Sequence, residues 1–278
     1  MNIAHRTHVL PRTYLKRFKS SPGKIWRFDE RRSDWREVSL KKQAGVVPDF
    51  YPDHVEKWLA TNIEQPAADG LQKLASAEPP QVEIAKEARL SLSYYLAVQL
   101  YRTPAALEER WGPAVSATID KHKEKRGQNE LIDRLEALLH QLDPDSEKAG
   151  FAIPLALDGK VFKQAVDRVA RDVFTFTWRV GVAPESVLLV AADAPVVPRT
   201  LEDGRRFLLF ALSSRKIPVC VSTDTFDSAS ISQPIDVIEI PAGDARKYNS
   251  ELVQGARRYI FSSKPEAWVR KVRAKRTT

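Results

Sequence analysis

The spacing of apolar residues divides the chain into a helix-rich first part and a strand-rich later part. Apolar residues that recur every three or four positions predict helices. One such helix begins at Asp53 and runs toward the break at Pro79-Pro80, and others cover about residues 81–103, 105–142, 159–180 and 242–261. Short apolar runs bounded by turn residues predict strands instead, at about 186–191, 207–212 and 218–222.

A separate pair of strands is predicted near the start of the chain. Residues 24–29 alternate between the two faces of a strand, and residues 35–38 supply the second strand of a hairpin. Because helices come first and strands later, the order favours an α+β fold over a repeating βαβ fold. We expect a mostly helical body with an N-terminal β-hairpin and a small, mainly antiparallel C-terminal sheet. Residues 1–262 are expected to form one domain, followed by a basic tail over 263–278.

The positive charge of the chain is concentrated at its two ends. The 278 residues carry a formal net charge of +8. Residues 1–42 hold twelve Lys and Arg against four Asp and Glu, a net +8, and residues 264–278 hold six against one, a net +5. The rest of the chain has a net charge of −5. Basic ends on an acidic body favour a polyanionic partner, most commonly nucleic acid. An equally open explanation is that these ends serve solubility or pair with the acidic body.

Cysteine content and hydropathy limit the expected cellular setting. The single cysteine, Cys220, excludes a disulfide or a cysteine-based zinc site within one chain. No run of eighteen apolar residues occurs, and the first residues lack the apolar stretch of a signal peptide. We therefore expect a cytoplasmic protein that does not enter a membrane. The sequence does not indicate a particular protein partner.

Several enzyme classes are disfavoured because their short sequence signatures are absent. The chain has no G-x-x-x-x-G-K-[ST] phosphate loop, no G-x-G-x-x-G after a strand, no H-E-x-x-H and no G-x-S-x-G. Each of these signatures reflects a local backbone geometry that its chemistry requires. An NTPase, a dinucleotide oxidoreductase, a zinc protease or an α/β hydrolase is therefore not expected.

Scattered polar residues are the remaining candidates for chemistry. His8 and Arg12 lie on either side of Pro11 in the N-terminal segment. Glu56 and Glu64 are eight residues apart, which is about two helical turns, so that both carboxylates share one face of a helix.

Three further candidates lie later in the chain. Gln99 and Arg102 are three residues apart and therefore adjacent on the next helix, and Asp193 follows a predicted strand. Every candidate also has an ordinary explanation, as a hydrogen-bonded core histidine, a surface carboxylate, a capping pair or a turn residue. Spacing alone does not choose between these explanations.

Short motifs in a fixed order connect the candidates to a family. Residues 8–18 read H-V-L-P-R-T-Y-L-K-R-F, which is similar to the family opening H-Y-V-P-x-x-Y-L-x-x-F. Residues 99–104 are similar to Q-x-x-R-T-P, and residues 192–196, which follow Trp178, are similar to S-D-N-P-V. From about residue 5 to residue 262, the chain resembles the bacterial family called domain of unknown function 4238.

The resemblance implies a grouping of residues and no activity. Glu56 and Glu64 fall where the family has helical glutamates after an aromatic pair, and the other matched segments contain His8, Arg12, Gln99, Arg102 and Asp193. The resemblance implies that these polar residues form a polar site more than a hydrophobic core. Two departures affect the pattern. Val9 replaces an aromatic residue, and Ala192 and Ala194 replace Ser and Asn on either side of the aspartate.

Two functions from different classes remain open. In the first, the chain is a hydrolase, nuclease-like, that acts on nucleic acid or another phosphate-rich substrate. Histidine ordinarily titrates near neutral pH, so His8 would be the general base or acid. Glu64 and Asp193 would orient His8 or hold a divalent metal such as Mg²⁺. Substrate phosphate would be bound by Arg12, Gln99 and Arg102.

In the second, the chain is a non-catalytic module that binds nucleic acid or protein. The same polar residues would then form a buried network that fixes the packing of helices. An open cleft would favour the hydrolase, whereas a closed and fully hydrogen-bonded network would favour the binding module. In either case His8, Glu64, Gln99 and Arg102 are expected to lie in one site.

Overall fold

The computed structural model describes residues 6–48, 53–103, 160–223, 231 and 233–274. Across these residues the body is built on two β-sheets, one of six strands and one of four, with helices packed against them. The helices are α1 (Arg12–Leu15), α2 (Asp53–Leu59), α3 (Gln65–Ser76), α4 (Lys86–Tyr101), α5 (Lys160–Thr175), α6 (Ala242–Gly255) and α7 (Ala267–Ala274).

The larger sheet is antiparallel except at one position. Its strands, in spatial order, are β5 (Gln81–Val82), β11 (Ile235–Glu239), β6 (Thr177–Val182), β10 (Lys216–Val221), β9 (Arg206–Phe210) and β8 (Val196–Thr200). Only β11 and β6 run parallel among these neighbours. Trp178 and Val180 of β6 are buried with an exposed residue between them, which is the alternation of a strand with one face on the core.

The smaller sheet combines the two ends of the described chain. Its strands, in spatial order, are β3 (Asp34–Ser39), β2 (Lys24–Asp29), β12 (Tyr259–Ser262) and β7 (Ala191–Ala192). The predicted hairpin is therefore present as β2 and β3, with Lys24 opposite Ser39 and Asp29 opposite Asp34. It is part of a sheet that also contains the late strand β12, which pairs with β2 from Tyr259 opposite Asp29 onward.

The N-terminal segment is held by a short ladder beside the helices. Strand β1 (Arg6–His8) pairs antiparallel with β4 (Val46–Pro48). After β1, the backbone amide of Val9 donates to the carbonyl of Gly45 at 2.9 Å, and Leu10 is fully buried. This arrangement fixes the path of the chain into α1 and a 3₁₀ turn at Lys16–Phe18.

Helix α4 is the central helix of the described core. It packs against α3, α5 and strand β8, which explains why residues on nearly every side of its last three turns are buried. Helix α2 continues into α3 through a π-helical segment at Ala60–Glu64, and Pro66 lies in the first turn of α3, where its missing amide is harmless.

The expected mostly helical body with a small C-terminal sheet is wrong, because strands β6, β8, β11 and β12 were not predicted. Of the strand expected at about 186–191, only the last residue lies in a strand, β7. Helix α5 ends at Thr175 and does not continue to residue 180. Its last carbonyls are bound from outside: Trp178 Nε1 donates to Val173 O at 2.9 Å, and Arg89 Nε donates to Phe174 O at 3.2 Å. Apolar residues at 176, 178, 180 and 182 recur every second position, which is the spacing of a strand, and the helix predicted to residue 180 overlooked this change of period.

The helix predicted over 242–261 is also shorter than expected. Helix α6 ends at Gly255, and Tyr259–Ser262 forms the strand β12 in the middle of the smaller sheet. Aromatic and β-branched residues such as Tyr259, Ile260 and Phe261 favour strands, and this preference was outweighed in the sequence by the preceding helical pattern. The helices expected over 105–142 lie outside the described residues.

The last described residues form a helix that packs on the body. Helix α7 covers part of the segment that the sequence assigns to a basic tail, and its Val269 and Arg273 are buried. Within the described residues, no helix combines the length and apolar character needed to cross a lipid bilayer.

Candidate functional site

Arg102 is the centre of a polar network between the N-terminal segment and two helices. It follows α4 directly and is fully buried. Its Nε donates to the carbonyl oxygen of Val9 at 2.9 Å, and its Nη2 donates to that of His8 at 3.2 Å. Its Nη1 donates to Glu64 Oε1 at 2.8 Å. A buried guanidinium is stable only when an opposite charge balances its own and acceptors bind its N–H groups. Here Glu64 supplies the negative charge, and the two backbone carbonyls supply the other acceptors.

Glu64 reaches Arg102 from the last position of the π-helical segment. The wider turn of a π-helix rotates the residues that follow it relative to a continuous α-helix, and such segments often occur at functional sites. The carboxylate is only partly buried, with 24% of its side chain exposed. The Glu64–Arg102 pair therefore connects the interior to the protein surface.

A second carboxylate faces His8. The Nδ1 atom of His8 lies 3.5 Å from Glu56 Oε1, and the backbone amide of His8 donates to the same oxygen at 3.4 Å. About a quarter of each side chain is exposed. Because Arg102 binds the carbonyl of His8 while Glu56 faces its amide and ring, the histidine is held from both sides.

Two buried tyrosines and a further arginine adjoin this network. The rings of Tyr14 and Tyr95 both pack on Phe210, with centroid separations of 5.0 and 6.0 Å. Burial raises the pKa of the Tyr14 phenol well above its ordinary value, with a smaller contribution from Tyr95. Burial also raises the pKa of Tyr95, and Glu64 contributes in the same direction. Both phenols are therefore neutral and can donate hydrogen bonds at physiological pH.

Arg17 lies beside the two phenols on the 3₁₀ turn. Its guanidinium interacts electrostatically with Tyr14 and Tyr95. Burial lowers the pKa of Arg17, although an arginine remains protonated at neutral pH. The Nη1 atom is shielded from solvent and makes no hydrogen bond to any described residue.

Gln99 adds a buried polar side chain to the face of helix α4 that carries Tyr95 and Arg102. Tyr95, Gln99 and Arg102 are spaced by four and three residues, so their side chains share one face of the helix. Gln99 is fully buried, and neither its amide nitrogen nor its amide oxygen has a hydrogen-bond partner among the described residues. We call Tyr14, Arg17, Tyr95 and Gln99 the unsatisfied cluster, because each has a buried polar atom without such a partner.

The structure brings some of the sequence candidates together and separates others. Arg102 contacts both His8 and Glu64, and Gln99 lies one helical turn before Arg102. Arg12 is exposed in the first turn of α1 and has no recorded bond to this network. Arg102 itself donates to protein acceptors and is not a free phosphate ligand. It therefore positions His8 and Glu64.

Asp193 has a different environment from the one expected for a catalytic carboxylate. It follows β7 and is buried. Its Oδ1 accepts the backbone amide of Arg257 at 2.7 Å, and its Oδ2 accepts those of Arg258 and Tyr259 at 2.7 and 2.8 Å. Both oxygens thus hold the connection between α6 and β12, which is a structural arrangement.

The carboxylates of the network are not grouped as metal ligands. Within the described ranges, no set of three or more His, Cys, Asp or Glu side chains is arranged to hold a metal ion. The expected combination of Glu64 and Asp193 around Mg²⁺ has no counterpart there, because Asp193 is bound to the α6–β12 connection.

Three residues of the site were not predicted as functional. Tyr14 and Arg17 entered only as part of the motif at residues 8–18, and Tyr95 only as part of the helix predicted over about residues 81–103. A signal was available, since a buried tyrosine normally needs a partner for its hydroxyl group and two such residues lie near arginines. Arg17 is three residues after Tyr14, which places both on one face of a helical turn.

A comparison with known families gives a match over most of the chain. The family described as "Protein of unknown function (DUF4238)" matches residues 6–266. The chain belongs to this family. The match confirms the resemblance seen in the short motifs, and its range includes the N-terminal segment, helix α4 and strand β12. In the same comparisons no curated protein and no solved structure matches the chain.

Proposed function

We propose that this protein is a hydrolase that acts on nucleic acid or another phosphate-rich substrate. The observation that supports this proposal is the His8–Glu56 pair at a partly exposed edge of the network, with Nδ1 and Oε1 3.5 Å apart. A carboxylate beside one imidazole nitrogen stabilises the protonated ring and orients it for proton transfer. The unsatisfied cluster adds weight, because a purely structural network is normally fully hydrogen-bonded.

In this proposal His8 acts as the general base. Glu56 holds the proton on Nδ1. Nε2 is shielded from bulk solvent in this structure, so it takes its proton from an attacking water that enters with the substrate. The water oxygen forms the new bond to phosphorus while the bond to the leaving oxygen breaks, and the leaving oxygen takes up a proton from solvent or from the imidazolium. Arg102 does not touch the substrate. It fixes the backbone of His8 and neutralises Glu64.

The experiment replaces each member of the pair separately. His8→Ala and Glu56→Gln should lower turnover of single-stranded and double-stranded nucleic acids and of a phosphodiester model substrate. A general base typically contributes about 10²–10⁴-fold, so the loss for His8→Ala should be clear. Glu87→Gln is the matched control, since Glu87 is an exposed carboxylate on α4.

Thermal melting of the same variants separates catalysis from stability. We expect normal melting of Glu56→Gln together with reduced activity, because the imidazole loses the carboxylate that orients it. An inactive wild type on every substrate, or variants that retain full turnover, would contradict the proposal.

A second function, binding of nucleic acid without hydrolysis, is supported by the position of the basic ends. The turn after β2 carries the exposed Arg31 and Arg32, and Glu30 in that turn contacts Arg273 of α7. Helix α7 presents the exposed Arg270 and Lys271. The two basic ends of the sequence therefore adjoin, which favours contact with one polyanion.

Salt dependence tests this second function. Binding to random DNA and RNA should weaken linearly on logarithmic axes as salt rises, because Lys and Arg release counterions from phosphates. The triple change Arg31→Gln, Arg32→Gln and Arg270→Gln should reduce that slope. Changing Lys73 and Lys86, which are exposed on α3 and α4, should have a smaller effect. Absence of binding at low salt would exclude a nucleic-acid partner.

The buried free thiol of Cys220 is compatible with the reducing cytoplasm in which we place the protein.

A further inference from the structure

Buried polar atoms without partners are rare in folded proteins, and here four residues with such atoms lie together. The hydroxyl groups of Tyr14 and Tyr95, the Nη1 atom of Arg17 and both polar atoms of Gln99 are shielded from solvent and unbonded to described residues. Leaving one buried polar group unbonded costs about 1–3 kcal/mol. A group of them therefore indicates that a molecule other than the protein supplies their hydrogen bonds.

Their proximity follows from shared neighbours. The rings of Tyr14 and Tyr95 both contact that of Phe210, Tyr14 stacked on it at 5.0 Å and Tyr95 edge-on to it at 6.0 Å. Each tyrosine also interacts electrostatically with Arg17. Gln99 follows Tyr95 by one helical turn on the same face of α4. The four side chains thus come from two adjacent elements, the α1 region and α4.

The charge balance of the cluster determines what kind of molecule fits. The carboxylate of Glu64 is already neutralised by Arg102. Arg17 has no acidic partner among the described residues and remains the excess positive charge. The two phenols and the Gln99 amide add three uncharged donors. Buried water could satisfy the phenols and the amide, but it would not neutralise a partly buried guanidinium.

We propose that Arg17, Tyr14, Tyr95 and Gln99 bind a small oxyanion, such as phosphate or the phosphate group of a larger molecule. Arginine offers a planar fork of donors that matches phosphate oxygens, and hydrogen bonds between charged groups are about twice as strong as neutral ones. Arg17 is only partly buried as a whole residue, so the anion enters along this side chain.

This inference deepens the proposed hydrolase by naming its phosphate-binding groups, and it assigns to Arg17 the role that the sequence had suggested for Arg12 and Arg102. The two proposals can fail separately, because anion binding is measured without turnover. A protein that binds phosphate but hydrolyses nothing would retain the anion site and lose the hydrolase.

The test measures binding of inorganic phosphate and sulfate by calorimetry and by thermal melting at constant ionic strength, with chloride as the reference salt. We expect phosphate to raise the melting temperature, because a ligand that binds only the folded state stabilises it. Arg17→Gln should weaken phosphate binding at least tenfold. Arg12→Gln, which removes an exposed arginine five residues earlier, should leave it unchanged.

Conservative variants keep the test decisive if Arg17→Gln does not fold. Tyr95→Phe and Tyr14→Phe remove only a hydroxyl group, and each should weaken phosphate binding by about threefold to tenfold, in line with one lost hydrogen bond. A wild type without a phosphate-specific shift would overturn the inference. It would also be overturned if Arg12→Gln weakened binding as much as Arg17→Gln, because this would indicate nonspecific surface attraction. Adenosine monophosphate and a short oligonucleotide, compared with inorganic phosphate, distinguish a nucleotide phosphate from the free ion.

Discussion

At the scale of single residues, arginines in this protein differ in role according to what surrounds them. Arg102 is fully buried and donates hydrogen bonds to Val9, His8 and Glu64, and these bonds hold the N-terminal segment against the helices. Arg17 has a shielded nitrogen and no acidic partner among the described residues, which makes it the better ligand for an anion. Because both residues are arginines, the residue type alone could not show which of them stabilises the fold and which is better placed to bind an anion.

Replacing Arg102 by Met should destabilise the protein by about 2–3 kcal/mol, because the change leaves two carbonyls and a partly buried carboxylate without their donor. Urea unfolding measures the loss of free energy. Arg12→Met, at an exposed position, should change the free energy of unfolding by less than about 0.5 kcal/mol. Equal losses in the two variants would mean that the bonds of Arg102 do not stabilise the fold.

The sequence could predict a polar site but not the contacts inside it. Family-like motifs and helical spacing pointed to His8, Glu64 and Arg102, and in the structure Arg102 donates hydrogen bonds to the other two residues. Asp193 belonged to an equally clear motif, but its carboxylate binds three backbone amides of a segment more than sixty residues later. Such long-range bonds leave no local trace, and the same is true of the unsatisfied cluster.

At the scale of elements, the errors arose where a helical pattern runs directly into a strand. The change from α5 to β6 depends on Trp178 and Arg89, which bind the last carbonyls of the helix. Arg89 is on α4, far away in sequence, so its contact leaves no local pattern, and the local signal is the change to alternating apolar residues over 176–182. Strands bounded by clear turn residues, such as the β2–β3 hairpin, were predicted because their signal is local.

A glycine next to the site tests how strictly the N-terminal segment is positioned. Gly45 has a φ of +62°, and its carbonyl accepts the amide of Val9. A Cβ atom here would lie 2.9 Å from Leu10 Cβ, whereas nothing lies within 4 Å of a Cβ at Gly23, whose φ is +77°. Gly45→Ala therefore adds a steric clash to the strain of a left-handed backbone, and Gly23→Ala adds the strain alone.

We expect Gly23→Ala to cost about 1–2 kcal/mol from the backbone conformation. Gly45→Ala should cost a further 1–3 kcal/mol or so, because overpacking moves Leu10 and the backbone that leads from His8. Thermal or urea unfolding gives both values. If the two variants lose equal stability, the segment adapts easily and does not hold His8 in a fixed position.

At the scale of the whole molecule, one carboxylate joins distant parts of the chain. Asp193, after β7, accepts the amides of Arg257, Arg258 and Tyr259, and its own amide donates to the carbonyl of Tyr259 at 2.9 Å. The central strand β12 is therefore aligned between its neighbours by a side chain as well as by the sheet ladder. The hydrogen bonds of Asp193 therefore stabilise the fold.

Asp193→Ala should lower the free energy of unfolding by about 3 kcal/mol or more, because three backbone donors lose a charged acceptor at a buried position. Hydrogen exchange should show faster exchange of the amides at 257–259 in particular. Asp236→Ala is the control, since Asp236 is half-exposed in a 3.6 Å pair with Arg179, and such pairs contribute about 0–1 kcal/mol. Unchanged exchange at 257–259 would refute the structural role.

The order of strands in the smaller sheet also constrains how the protein is made. Strand β2 is synthesised among the first thirty residues, and its neighbour β12 is near residue 260. A ribosome therefore releases the hairpin long before the strand that connects it to β7 exists. Until then one edge of β2 has no partner in this sheet, and unpaired edges recruit other chains. Newly made chains should depend on chaperones during this interval, more than the finished protein does.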